Sequence, residues 1–391
     1  MKNKQDIFEL FETSRNAHSY VKASAPMVRY SKVQFRTLVK NYGTDLTFTP
    51  MILADSFCQN SKARCSEFST TSNDSPLIVQ FAANNVNDFK DASQLVYPYC
   101  DGVDLNCGCP QKWAMKDGYG ASLLTKPDLI HGLVRGIRNS LPNTFSVSVK
   151  IRILNDLKKT IELCRQLEKC GVTFLTVHGR TPQQKSGDQL NREALKNVCE
   201  SVKIPIIANG GVKSLSDAEN LHSFVKCDGV MAASGILTNP ALFSGVSKTP
   251  LSCVQLWRDL KDKDSNKITF QCYHHHLVFM LEKVLTKQQK QIFNHLSSFK
   301  SVDNYLNEFI LDCKDTDFDI KWNLENFVSC QFPDEILLKH SKKCRGCSKS
   351  MTYCICNNYD CNTTDGSFFT SYVQCNDGLD YMDNNIFGEV I

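Results

Sequence analysis

The sequence predicts an α/β protein: a (β/α)8 TIM barrel, then a small all-α helical domain, then a Cys-rich, irregular C-terminal tail. Three observations carry that expectation. Between residues 21 and 245, eight short apolar or β-branched runs alternate with amphipathic stretches, the pattern of parallel strands joined by right-handed helical crossovers. The G-x-G-x-x-G fingerprint of an open doubly wound sheet is missing after the first run, which favours a closed barrel. After Gly245 the strand pattern stops, and apolar residues recur at helical spacing through Leu277-Val278, Met280-Leu281 and Val284-Leu285.

The eight runs are Val21–Met27, Leu46–Thr49, Leu77–Phe81, Gly102–Asn106, Ser146–Ile151, Phe174–His178, Ile204–Ala208 and Gly229–Ala232. Between them, Val33–Tyr42, Asp88–Val96, Leu129–Asn139, Thr160–Cys170, Arg192–Glu200 and Leu215–Phe224 read as helices. Two carry start signals: Asp128 after Pro127, and Ser214 and Ser216 ahead of Asp217. The implied division is an N-terminal extension (1–20), the barrel (21–245), the helical domain (246–312) and the tail (313–391).

Of the 391 residues, 42% are hydrophobic and 22% charged, ordinary values for a globular chain. No apolar run reaches the roughly 18 residues of a membrane span, and the first residues show no apolar secretory core. A cytoplasmic protein is the default expectation, with a nuclear or mitochondrial pool left open. Charge is uneven. Residues 1–312 hold 38 Lys and Arg against 29 Asp and Glu, and residues 313–391 hold 7 against 12. A basic body with an acidic end suits a polyanionic partner for the body. The 19 cysteines, without a secretory signal, read as thiols, metal ligands or a catalytic residue rather than disulfides.

In such barrels chemistry sits at the C-terminal strand ends. Those ends read Ala25-Pro26-Met27, Gln80-Phe81-Ala82, Asn106-Cys107-Gly108-Cys109-Pro110, Lys150-Ile151-Arg152, His178-Gly179-Arg180-Thr181, Asn209-Gly210-Gly211 and Ala233-Ser234-Gly235. Glycines after the last two strands either make tight turns or let backbone N–H groups approach a phosphate. Lys150 ends a buried strand, so it either pairs in a salt bridge or faces a cofactor's electron-rich edge. His178 is either structural or a donor to a phosphate or base carbonyl. Arg152 and Arg180 add positive charge to the same rim. Cys109 is either one more inert thiol or, being mostly protonated near neutrality, a proton donor.

These strand ends, with Gly120-Ala121-Ser122-Leu123-Leu124, resemble the tRNA-dihydrouridine synthases. The matches come in family order from Ala23 to Phe243. Lys116–Gly120 and Leu237–Pro240 are similar to the eukaryotic branch acting on positions 20a and 20b of the tRNA D-loop. The resemblance implies an FMN-bearing barrel, a helical domain for tRNA, and NADPH or NADH as reductant. It places Pro26, Met27, Val28, Gln80, Lys150, His178, Asn209, Gly210, Gly211, Ala233 and Ser234 around FMN. It makes Cys109 the acid that protonates uracil C5 after flavin N5 delivers hydride to C6. Asn106, Arg152 and Arg180 are the candidates for tRNA or uracil contact. One departure stands out: the family usually has Arg at the position of Ser234, and loss of that cation either weakens FMN binding or is offset by Lys213.

Two other readings remain: an FMN barrel reducing a free pyrimidine, as a dihydroorotate dehydrogenase does, and a catalytically weakened RNA-binding homologue. No membrane association or obligatory protein partner is expected. In the tail, Cys344, Cys347, Cys354 and Cys356, followed by Cys361, are zinc-ligand candidates against a disordered alternative. His274, His275 and His276 cannot converge on one metal, because helix neighbours point about 100° apart; they read as helix surface with one buried member.

Overall fold

The computed structural model describes residues 4–263 and 268–311. Nine strands form one all-parallel sheet: β1 Val21–Ser24, β2 Thr47–Phe48, β3 Ile52–Leu53, β4 Leu77–Ala82, β5 Gly102–Cys107, β6 Ser146–Arg152, β7 Phe174–His178, β8 Ile206–Asn209 and β9 Gly229–Ala232. Their order is β1-β9-β8-β7-β6-β5-β4-β2, with β3 also on β4. A parallel bridge between Ala23 and Leu46 joins β1 to the segment entering β2, which closes the barrel. The eight expected staves are therefore present, with the second one split. β2 pairs Thr47 with Leu77, while β3 pairs Ile52 with Phe81, so the stave gains one residue on its partner across Pro50. Proline has no N–H to give the ladder, and a bulge accommodates it.

The six expected helices form, at Val33–Lys40, Val86–Val96, Pro127–Arg138, Leu157–Lys169, Arg192–Ser201 and Leu215–Val225. Side-chain caps fix several starts: Asn85, Asp156, Asn191 and Ser214 each accept from first-turn N–H groups. First-turn proline and acid mark the helix at Pro127.

The extension before the barrel is a helix, Ile7–Asn16, capped by Asp6. It buries Ile7 and Phe11 against the N-terminal strand ends. The Phe11 ring lies 5.4 Å from Phe174, which itself lies 6.4 Å from Phe48. Three aromatics from the helix, β7 and β2 thus plug the lower mouth.

Behind the barrel come helices Leu251–Lys263, Phe270–Met280, Lys287–Asn294 and Phe299–Leu306. They dock through Trp257 and His276, both fully buried. The His276 ring stacks on Phe35 at 4.6 Å and meets Trp257 at 4.5 Å, and its Nε2 lies 3.2 Å from the Tyr30 carbonyl oxygen. Burial pushes its pKa down to about 3, so it bonds as a neutral ring. The histidine triplet therefore differs from the surface reading: His274 and His276 are both buried, and only His275 is partly exposed. The cause is the packing of two helix faces, one against Phe293 and one against the loop after β1.

Candidate active site

Parallel registers place inward-facing residues side by side. Gln80, Asp104 and Ser148 stand level on β4, β5 and β6. One layer toward the C-terminal mouth, Asn106 is level with Lys150 and Thr176. Above them Arg152, His178 and Asn209 share a layer.

A cavity opens at that mouth. Its walls are Ala25, Pro26, Val28, Met51, Gln80, Asn106, Gly108, Cys109, Gln111 and Lys150. Of the sequence candidates, the structure therefore gathers Pro26, Val28, Gln80, Asn106, Cys109 and Lys150 around one space. Met27 is buried instead, with its N–H donating to Ser31 Oγ at 2.5 Å. His178, Asn209, Gly210, Gly211, Ala233 and Ser234 occupy the adjoining rim after β7, β8 and β9. A wider polar cleft on the outer side, walled by Asp55, Asn84, Asp88, Lys116, Asp117 and Lys126 among others, holds none of the candidates.

Cys109 sits just past β5, partly exposed. Its N–H and that of Gly108 both donate to Asn106 Oδ1, at 2.9 and 3.0 Å. Its carbonyl accepts from Ala121 N–H at 2.9 Å. Burial pushes the thiol pKa up, against the opposing pull of the Gln111 backbone, Arg152 and Lys150. The group therefore stays protonated at neutral pH, as a proton donor must.

Lys150 is buried, and burial together with nearby Arg152 brings its pKa down to about 8, with Asp104 and Cys109 pulling the other way. Among the described residues no hydrogen bond from its Nζ is seen, so its ammonium faces the cavity without a partner. Asp104 is fully buried; desolvation lifts its pKa to about 6 although Ser148, Gln80 and Lys150 hold it down. His178 is driven well below the usual imidazole range by burial and by Lys150, Arg152 and Arg180. Its Nδ1 accepts from the Arg180 N–H at 3.2 Å.

The two arginines have a use that sequence reading missed. Arg152 donates to the carbonyls of Gly108 at 2.9 Å and Thr181 at 3.1 Å, and Arg180 Nε donates to the Asp188 carbonyl at 2.7 Å. Both are buried. They staple the loops after β5 and β7 before they offer charge to any ligand. Asp104 was also missed. The signal was an acid in an otherwise apolar strand, Val103-Asp104-Leu105.

At the rim, Gly210 and Gly211 have φ of +121° and +74°, left-handed backbone that favours glycine. The buried Asn209 Oδ1 has no partner among the described residues. A Cβ on Gly235 would lie 2.3 Å from the Val212 carbonyl oxygen, so the loops after β8 and β9 abut there. The zinc candidates Cys344, Cys347, Cys354 and Cys356 lie outside the described residues. Among the described residues no cluster of three or more metal-ligating side chains occurs, and no helix is long and apolar enough to cross a membrane.

The dihydrouridine synthase (Dus) family matches residues 23–321. A mouse protein named tRNA-dihydrouridine(20a/20b) synthase [NAD(P)+]-like is 49% identical over 306 residues, 78% of this chain and 92% of the relative. Its human counterpart is 46% identical over 306 residues, 78% of this chain and 94% of the relative. The Schizosaccharomyces pombe tRNA-dihydrouridine(20a/20b) synthase [NAD(P)+] is 42% identical over 308 residues, 79% of this chain and 92% of the relative. On a match that covers most of the barrel and the helices behind it, the chain belongs to the dihydrouridine synthase family.

Proposed function

We propose that this chain is an FMN-dependent tRNA-dihydrouridine synthase. It reduces the C5–C6 bond of a D-loop uridine at position 20a or 20b, with NADPH or NADH as the ultimate reductant. The observation that carries this reading is a thiol held protonated in the same cavity as an unpartnered ammonium. Saturating the bond requires a hydride at C6 and a proton at C5. FMN, when bound, supplies the hydride. Cys109 holds the proton, and its raised pKa keeps that proton available across neutral pH.

The donor set fits FMN. The Lys150 ammonium suits an electron-rich ring edge, and Asn209 Oδ1 is a buried acceptor in want of a donor. Gly210, Gly211, Ala233 and Ser234 lie on the rim after the last strands, where these barrels bind phosphate. Ser234 offers a hydroxyl there. Pro26, Val28, Met51 and Gln80 wall the cavity, and Asn106 and Cys109 close its β5 side. The target base has to leave its stack to enter such a cavity. Exposed Lys283, Lys287 and Lys300, on and between the helices behind the barrel, supply charge for tRNA phosphates.

The test is a visible spectrum of the purified protein, followed by NADPH-driven tRNA reduction by the wild type and by Cys109→Ala. Flavin absorption, with dihydrouridine formed by the wild type and a loss of about 10²–10⁴-fold in the variant, is expected. Flavin that reduces free orotate and leaves tRNA untouched overturns the substrate. A protein that takes up no flavin overturns the cofactor.

A further inference from the structure

Beneath the cavity the side chains form one continuous chain with a direction. Ser148 Oγ donates to Asp104 Oδ1 at 2.6 Å. Gln80 Nε2 donates to Asp104 Oδ2 at 2.8 Å. Asn106 Nδ2 donates to Gln80 Oε1 at 2.9 Å. Asn106 Oδ1 then accepts from the backbone N–H groups of Gly108 and Cys109. All of these side chains are buried.

An amide can be turned either way, because its oxygen and nitrogen have nearly the same shape. What decides the direction is a neighbour that can only accept or only donate. An ionised carboxylate only accepts, so Asp104 draws the Gln80 nitrogen toward itself. Gln80 then presents oxygen to Asn106, which presents nitrogen to Gln80 and oxygen to the loop. At the far end, backbone N–H groups only donate, so the two ends agree. Reversing either amide would set two donors or two acceptors face to face in a buried place, which is costly.

We propose that Asp104 is a positioning residue that acts through Gln80 and Asn106 to fix the loop carrying Cys109. It does not itself line the cavity or touch Cys109; its contact with the wall is the bond from Gln80. Its contribution is to enforce from the buried end the amide arrangement that the loop N–H groups require, so that the Cys109 backbone is held from below while the Ala121 N–H holds its carbonyl from the side. The proposal rests on the reading of Cys109 as the proton donor, and its test separates the two.

The test swaps donor and acceptor at the link between Gln80 and Asp104. Gln80→Glu sets a carboxyl group against Asp104, a link that survives only while the two share a proton and is lost when labelling is done above the raised pKa of that pair. Adding Asp104→Asn supplies a donor in its place: the amide nitrogen introduced at position 104 faces the carboxylate introduced at position 80, whose other oxygen still accepts from Asn106. The rate of Cys109 labelling by iodoacetamide, read by peptide mass spectrometry on the full chain, reports how firmly the loop is held. Gln80→Glu is expected to speed labelling about tenfold, the equivalent of one buried hydrogen bond. Asp104→Asn alone weakens a charge-assisted bond and is expected to speed it about threefold. In the Gln80→Glu background, however, Asp104→Asn is expected to slow labelling back toward the wild-type rate. That change of sign is something a residue that merely fills space would not produce.

If Gln80→Glu does not fold, Asn106→Asp with and without Asp104→Asn asks the same question from the other end. Gln80 then turns over, and Asp104→Asn again restores complementarity. Asp104→Asn that speeds labelling in every background, or that leaves it unchanged, overturns the proposal. If labelling follows the expected pattern while tRNA reduction is indifferent to it, the positioning role stands and the assignment of Cys109 as the acid falls.

Discussion

The two mouths of this barrel are built from the same strands and differ in how completely their groups are used. At the lower mouth the acids are partnered and the space is filled, although the buried Tyr20 and Ser146 hydroxyls have no partner among the described residues. Phe11, Phe48 and Phe174 fill the space. Asp101 accepts from Gln5 N–H at 2.9 Å and from Leu77 N–H and Ser75 Oγ at 2.8 Å. Asp228 accepts from Arg15 at 2.7 Å and Ile206 N–H at 2.8 Å. At the upper mouth, Lys150 lines the cavity with its charge unspent, and the buried Asn209 Oδ1 has no partner among the described residues. Strand alternation alone gives both ends the same inward positions. The lower end spends them on stability, and the upper end holds them ready for a ligand.

Substitutions at the two mouths are therefore expected to part cleanly. The largest effect belongs to Cys109→Ala, which removes the proton and is expected to cost about 10²–10⁴-fold in tRNA reduction with little change in thermal midpoint. At the opposite mouth, Phe174→Ala empties the plug. It is expected to lower stability by about 3–5 kcal/mol in a denaturant titration, while the molecules that remain folded reduce tRNA within about twofold of the wild-type rate. A large fall in turnover per folded molecule would break the comparison, because it would show the plug acting on the site.

Lys150 sharpens it further, because there function and stability should oppose one another. Its folded pKa of about 8 lies below its ordinary 10.5. The unfolded chain therefore binds the proton more tightly between those values, and stability from this group rises as pH rises through that window. Below about pH 8 the buried charge exacts its full cost. Lys150→Met is thus expected to raise the stability of flavin-free protein by roughly 3 kcal/mol at neutral pH. The gain shrinks toward zero as pH approaches the ordinary lysine value. The same variant is expected to lose flavin retention. Stabilisation that persists unchanged at high pH would mean the gain comes from packing rather than from the removed charge.

How much of this was legible beforehand follows the physics of each signal. The barrel was legible because a buried parallel strand announces itself as a short apolar run, and eight such runs alternated with amphipathic ones. The bulge at Pro50 was not, since only pairing to β4 shows that β3 continues the same stave. Cys109, Lys150 and Asn106 were legible as residues at strand ends. Asp104 was in plain sight within its strand, but its role depends on side-by-side registers across β4, β5 and β6 that no single run contains. Arg152 and Arg180 read as rim charges, and only their carbonyl partners reveal them as staples. The plug formed by Ile7–Asn16 carried a helical apolar spacing at Ile7, Leu10 and Phe11 and an Asp6 cap; nothing in the sequence said which surface it would cover.

The smallest expected effect isolates position from stability on one short loop. Gly118 and Gly120 have φ of +83° and +61°, so alanine at either is strained by about 1 kcal/mol. Their surroundings differ. A Cβ on Gly118 would meet Asn84 Nδ2 at 3.4 Å, a side chain that can give way; a Cβ on Gly120 would lie 2.6 Å from the Cys109 carbonyl oxygen and 2.9 Å from its Cβ. Both variants carry the same backbone strain, yet only Gly120→Ala has to push Cys109 from its place, at a further cost in stability. A fall of about tenfold in tRNA reduction is expected for Gly120→Ala, within the range that small displacements of reacting groups produce, with Gly118→Ala close to wild type. Equal falls in the two would mean that backbone strain in the loop, and not the seat of the thiol, limits the reaction.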